Sequence, residues 1–145
     1  MTRKATINDL PRLIEIAEQF LNESNWDWTF NKENAVKTFY TSIMHPECDT
    51  IVSEKDGKIE GLCIVSYEQD FTDEKIGDIV EYYVTPEGRG TGLSRELLQG
   101  VCEWFDGYEC KNVFVKATAN IGKDAAFINL FNKFGFNVFS KVLVR

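Results

Sequence analysis

The residues whose types and spacing could do chemistry fall in one run, from Ile76 to Ser94. Two carboxylates, Asp78 and Glu81, sit in a stretch from Ile76 to Thr85 that reads as an apolar strand. Apolar neighbours disfavour the charged form of a carboxylate and bring its pKa toward neutrality, which suits a general base. In a regular strand, residues three apart point to opposite faces, so both can reach one site only if a bulge intervenes. Glu81, between Val80 and Tyr82 at the strand centre, is the stronger candidate. Asp78, beside Gly77 at the strand start, reads more readily as a turn or solvated carboxylate, and an ion-paired structural acid is the competing reading for Glu81. Past the strand, Gly88, Gly90 and Gly92 surround Arg89 and lead into an amphipathic helix. A glycine loop that feeds a helix N-terminus offers unpaired N–H groups and the positive end of the helix dipole, an arrangement that binds anions and phosphate above all. Arg89 adds a positive charge with donors suited to phosphate oxygens. A glycine-rich turn that merely caps a helix is the alternative.

The spacing excludes the commoner phosphate motifs. No Gly-Lys-Ser/Thr triplet occurs, so this is not a Walker loop, and the alternating glycines do not make a GxGxxG fingerprint. Cys48, Cys63, Cys102 and Cys110 show no CxxC or Cys/His pairing and read as thiols of a reduced compartment. The one histidine, His45, precedes Pro46 at an expected helix end and is read as structural, and no metal site is expected.

These residues need a frame to hold them. Residues 3–8 are a candidate first strand, and Asn8 or Asp9 can cap a helix that has Pro11 in its first turn and Leu13, Ile14, Ala17, Phe20 and Leu21 on one face. A polar segment, 23–30, follows with Trp26, Trp28 and Phe30 at alternate positions, either packing on the core or walling a pocket. A second helix fits 32–44. Strands at 49–54 and 58–67 flank the hairpin signal Asp56-Gly57. After the central strand and the loop, Leu93, Leu97, Leu98, Val101, Cys102 and Phe105 mark the buried face of a third helix. A strand at 112–118, a helix at 124–134 ending at Gly135, and a last strand at 136–144 complete the chain. The order β-α-α-β-β-β-α-β-α-β predicts one α/β (α+β) domain, 1–145, with a central mixed, mostly antiparallel sheet of about six strands and helices on both faces.

The segment Arg89-Gly90-Thr91-Gly92-Leu93-Ser94 resembles the (Gln/Arg)-x-x-Gly-x-(Gly/Ala) motif of the GNAT superfamily of N-acetyltransferases, with serine in place of the last Gly or Ala. The run Tyr82 to Gly90 resembles the family's strand-to-loop signature, and Asn132-Lys133-Phe134-Gly135-Phe136 its closing pattern, so the likeness covers essentially the whole chain. The resemblance implies acetyl-CoA as co-substrate. Its pyrophosphate would be held by Arg89 and the backbone of Gly90, Thr91, Gly92, Leu93 and Ser94, and its pantetheine arm by the backbone of Val84. Asn120 stands where the family often has an asparagine, although 120–124 is longer than the usual pattern. Family members often use an acid of the central strand as base, which again points to Glu81 and Asp78. Many also carry a tyrosine four residues before the Gly-Phe pair, and here that residue is Phe131. A homodimer is a further implication.

A length of 145 residues suffices for one buried core, and 43% hydrophobic content sets the chain apart from disordered sequences. A net charge of −7 argues against a nucleic-acid partner, which would favour a basic stripe, and suits a cationic acceptor. No apolar run approaches the roughly 20 residues that span a bilayer, and the N-terminus lacks a signal h-region, so a cytoplasmic protein is expected, with no membrane partner. The expectation is therefore direct acetyl transfer from acetyl-CoA to a primary amine of a small molecule or peptide, with Trp26 and Trp28 as candidate acceptor contacts. The competing reading is a non-catalytic acyl-CoA-binding or protein-interaction module on the same fold.

Overall fold

Local turn chemistry sets most of the element boundaries. The computed structural model describes residues 1–116, 124–139 and 143. β1 is Thr2–Lys4, shorter than the expected 3–8, because the Asp9 carboxylate accepts from the Thr6 N–H at 2.7 Å and closes a 3₁₀ turn over Ile7–Asp9. α1, Leu10–Glu23, carries Pro11 in its first turn, where an N–H would have no intrahelical partner. The Asn31 side chain accepts from the Asn34 N–H and caps α2, Lys32–Met44. β2, Cys48–Lys55, turns into β3, Lys58–Glu68, through Asp56 and Gly57, both at positive φ as a tight hairpin of this kind requires. β4 is Lys75–Val84, α3 Leu93–Gly107, β5 Cys110–Val115 and α4 Asp124–Asn132.

The strands form a mixed sheet in the order β1-β2-β3-β4-β5. The first four pair antiparallel, and β5 joins β4 in parallel through the crossover helix α3. α1 and α2 cover one face, where Leu13, Ile16 and Phe39 meet Val52, Leu62, Ile64 and Tyr83. α3 covers the other, where Leu97, Leu98, Val101 and Phe105 meet Ile51, Cys63, Val65 and Ile79, with Phe131 of α4 in the same cluster. This is the mixed, mostly antiparallel sheet between helices that the element order predicts.

The strand count differs: five strands are present among the described residues where about six were expected. After Gly135 the chain turns back on α4, with the Phe136 N–H donating to the Phe131 carbonyl and the two rings edge to face at 5.0 Å. Residues 136–139 thus carry no sheet pairing, and 140–142 and 144 of the expected last strand lie outside the described residues. Among the described residues, no helix is long and apolar enough to cross a membrane.

Among the described residues, three irregularities interrupt the ladders, one of them where Lys111 is the extra residue at the start of the β4–β5 pairing and two in the antiparallel part. Ser53 faces Gly61 while Glu54 faces Ile59, which leaves Glu60 as the extra residue on β3. Val65 faces Ile79 while Ile64 faces Glu81, which leaves Val80 as the extra residue on β4. A bulge re-aims the side chains beyond it and bends its strand. Both consequences matter for the site.

Candidate active site

The Val80 bulge answers the question posed by the three-residue spacing. Asp78 pairs with Ser66 and Glu81 with Ile64, and directly opposed residues share a face. Ser66 and Ile64 are two apart on a regular stretch of β3, so Asp78 and Glu81 both project to the face covered by α1 and α2. They enter different clefts, however. Glu81 lies at an apolar cleft of about 170 Å³ between α1, α2 and the sheet, whereas Asp78 lines a larger and more polar one of about 430 Å³ with Glu47, Glu68 and Phe114. Although Glu81 keeps access to solvent, protein atoms crowd it on its other sides. This desolvation raises its carboxyl above the ordinary glutamate range.

The same bulge marks where β4 and β5 part. Among the described residues their pairing runs from Lys75–Cys110 to Ile79–Val115, while β4 continues to Val84 against β3. The Thr85 N–H donates to the Glu60 carbonyl, and the alternation of the antiparallel ladder then turns the backbone groups of Tyr83 and Glu81 toward β3 and those of Tyr82 and Val84 away from it. Val84 O accepts from Arg89 Nε at 3.0 Å. The N–H groups of Tyr82 and Val84 face the gap, where no acceptor occurs among the described residues.

At the end of that gap lies the glycine loop. Gly90 and Gly92 have φ of +73° and +86°, values that L side chains rarely adopt, and a Cβ on either would meet open space. Gly92 is the N-cap of α3 without a side-chain cap. The Gly88 and Arg89 N–H groups bond back to Thr85 and Pro86 carbonyls, and the Glu96 N–H opens the helical ladder on Gly92 O. Between them, the N–H groups of Gly90 to Arg95 have no acceptor in hydrogen-bond geometry among the described residues. This is a set of orphan donors at the positive end of a fifteen-residue helix. It fits a phosphate group in charge and in hydrogen-bonding capacity.

Arg89 is placed differently from the loop backbone. Its guanidinium forms a two-pronged pair with Glu23 at the end of α1, at 2.6 and 2.8 Å, and lies 5.5 Å from the centre of the Tyr83 ring. The Tyr83 hydroxyl donates to the same carboxylate at 2.6 Å. The guanidinium charge is therefore already partnered, and the side chain ties α1, β4 and the loop together. A second brace lies beneath the loop. Bulged Glu60 is buried and accepts from Arg12 Nη2 at 2.9 Å and from the Thr85 hydroxyl, whose oxygen in turn accepts from the Gly88 N–H. Burial pushes the Glu60 carboxyl up, but the Thr85 hydroxyl, the Lys58 ammonium and the Arg12 charge outweigh it and hold the group below the usual range.

Other candidates fall as follows. The Tyr82 hydroxyl donates to the Ser94 carbonyl at 2.6 Å, and its ring meets Phe127 and Phe131 edge to face at 5.8 and 5.2 Å. Phe131 is buried in that aromatic cluster. Leu93 is buried core and Thr91 caps the Gly88 carbonyl with its hydroxyl. Trp26 and Trp28 contact each other in the α1–α2 loop, are exposed, and do not line the Glu81 cleft. Asn120 lies outside the described residues. Burial drives the Cys63 thiol well above its ordinary value and, with Asp106 and Glu103, pushes Cys102 up to about 11, so neither offers a thiolate near neutrality.

Three residues of this assembly carry no motif. Glu23 is 66 positions from Arg89, and nothing in the spacing connects them. Tyr83 belongs to an apolar strand pattern that does not distinguish it from Tyr82. Glu60 did leave a trace, since a lone charge inside the apolar run 58–67 must find partners if it is buried.

Comparison with known proteins agrees with this geometry. Residues 13–136 match the family model described as the acetyltransferase (GNAT) family. An uncharacterized N-acetyltransferase of Archaeoglobus fulgidus is 28% identical over 81 residues, an alignment that spans 54% of this chain and 55% of that protein. The chain thus covers about half the length of that curated relative. Among solved structures, a predicted acetyltransferase of Clostridium acetobutylicum with acetyl-CoA superposes with a TM-score of 0.79 at 16% identity, covering 100% of this chain and 94% of that one. The aminoglycoside antibiotic 6'-N-acetyltransferase of Acinetobacter haemolyticus gives 0.77 at 14% identity, covering 100% and 96%. At such identities the likeness is one of fold. The family match spans most of the chain and includes the bulged strand, the orphan-donor loop and the helix behind it: the chain belongs to the acetyltransferase (GNAT) family.

Proposed function

We propose that the chain transfers an acetyl group from acetyl-CoA directly to a primary amine. The observation that carries this reading is the meeting of three features on β4. These are a raised carboxylate at Glu81, a strand edge freed beyond Val80, and a loop of unpaired N–H groups where the strand ends. When bound, acetyl-CoA supplies the acetyl group as a thioester. The N–H groups of Gly90 to Ser94 would hold its pyrophosphate, and the Val84 N–H would donate to its pantetheine arm as an added strand pairs with an edge. Arg89 serves through the loop, which Glu23 and Tyr83 hold in place through it.

An ammonium has no lone pair to attack with, so a proton must leave first. Glu81 takes that proton, directly or through water, and its raised affinity for protons brings it nearer the working pH. The amine nitrogen then bonds to the acetyl carbon as the carbon–sulfur bond breaks, and the second proton that the nitrogen sheds ends on the departing sulfur, which leaves as the CoA thiol. A Tyr82 or Val84 N–H on the free edge can stabilise the charge that develops on the carbonyl oxygen. The departing sulfur needs little help, because a thiol of pKa about 8.5 is a tolerable leaving group near neutrality.

Phe131 favours a second reading, a module that binds acetyl-CoA without turnover, since the Tyr82 and Tyr83 hydroxyls are both engaged elsewhere. Calorimetric titration with acetyl-CoA, CoA and ATP, followed by amine-dependent release of CoA thiol, tests both. The expected result is binding of both CoA species well above ATP, with thiol release that depends on amine. Binding without release would favour the second reading, and no binding would remove the loop assignment. Gly92→Val is expected to raise the acetyl-CoA Kd roughly 5- to 30-fold, because a β-branched residue at a φ of +86° costs about 1–2 kcal/mol. An unchanged Kd would show that the left-handed N-cap is not part of the anion site.

A further inference from the structure

The Glu81 cleft differs in character from the rest of the surface. Its floor is Leu62 and Ile64, and its walls are Ala17 and Phe20 of α1 and Ala35 and Phe39 of α2. Among the described residues, Glu81 is its one carboxylate. Of the other polar groups, Thr38 of α2 brings one hydroxyl, and the Tyr83 hydroxyl is taken by Glu23. The volume, about 170 Å³, is close to that of an apolar cavity of roughly 150 Å³ that accommodates benzene. Asp78, Glu68 and Glu47 line a separate cleft.

We infer that the acceptor is a monoamine carried on a small apolar body, an arylmethyl or branched alkyl group, with its ammonium at Glu81 and its body between α1 and α2. This rests on the reading of Glu81 as the base. Charge complementarity fixes the amine end, since Glu81 is the one charged group lining the cleft among the described residues. The walls fix the other end. Apolar surface gains by leaving water for such a lining. A polyhydroxylated body entering the same space would find the Thr38 hydroxyl and leave most of its own hydroxyls without partners, which disfavours it strongly. A site that can reward only one ammonium also gives no advantage to a polycation. The acceptor class therefore differs from the aminoglycosides handled by the Acinetobacter haemolyticus enzyme of the same fold.

The test uses the full chain at saturating acetyl-CoA, with initial rates for benzylamine, isoamylamine, methylamine, ethanolamine and kanamycin. Acetyl-CoA binding is measured separately by calorimetry. The expected result is a kcat/KM for benzylamine and isoamylamine at least about 30-fold above that for ethanolamine and kanamycin. Ala35→Leu fills the cleft from a helix position that leucine suits. It is expected to cut the benzylamine-to-methylamine ratio of kcat/KM by about tenfold or more while the acetyl-CoA Kd stays put. A merely structural defect would lower both amines together. Equal rates across the panel, a preference for kanamycin, or acetyl-CoA binding with no turnover of the apolar amines would each overturn the inference and leave the cofactor assignment standing. Absence of acetyl-CoA binding would overturn both.

Discussion

Glu81→Gln is expected to lower kcat by about two to four orders of magnitude, the usual contribution of a positioned general base. The acetyl-CoA Kd should stay within about twofold, because the substitution removes an interaction needed only as the proton leaves. Glutamine keeps the size of the side chain and its place on the bulged strand but cannot take a proton. The pH dependence gives a second readout. The active form is the carboxylate, so kcat/KM of the wild type should rise with pH through a value above the ordinary glutamate pKa of about 4.3. That acid limb should be missing from the residual activity of Glu81→Gln. A variant that turns over normally, or one with the same limb, would remove Glu81 from the mechanism. Asp78→Asn is the control on the same sheet face, since Asp78 lies in another cleft.

Glu60→Ala is expected to have the largest effect on stability, a loss of about 3 kcal/mol in urea unfolding, near the lower end for breaking a buried charge pair. The side chains of Glu60 and Arg12 are only 5% and 21% exposed, so solvent does little to screen the pair. The lower end applies because Arg12 retains a bond to exposed Glu15. The effect should reach the loop as well, since Thr85 loses its acceptor and Thr85 orients the Gly88 N–H. Weaker acetyl-CoA binding should accompany the lost stability. Glu60→Gln separates charge from shape. A carboxyl held below its unfolded-state pKa contributes stability that is present above that value and is lost as the pH falls through the lower folded value. The advantage of the wild type over Glu60→Gln should accordingly be full near neutrality and shrink only at strongly acid pH. Equal stability of the two at neutral pH would show that the charge of Glu60 adds nothing to the fold.

Much of this protein is determined by short-range chemistry that its sequence displays openly. Helical stripes such as Leu93, Leu97, Leu98 and Val101 lie where α3 buries them, because an apolar period of 3.6 leaves one face to cover. Asp56-Gly57 makes the hairpin it signals, and Gly88 to Gly92 make an open loop against a helix start, because only such residues tolerate those backbone angles. The pair of candidate acids was legible too, with the condition that a bulge would be needed to bring them to one face. Whether that bulge existed was decided by packing. One extra residue at Val80 is invisible to an apolar pattern, yet it moves Glu81 to the α1–α2 face and opens β4 from β5. The shortened first strand and the turn of Phe136 onto Phe131 are likewise tertiary choices between closely matched local options. The pairing of Glu23 with Arg89 and of Arg12 with Glu60 depends on where helix α1 comes to rest on the sheet. Residue types and periods encode the elements and the kinds of chemistry available. Register, bulges and long-range charge pairs exist only once the layers meet, because the energy that selects them is burial shared between distant segments.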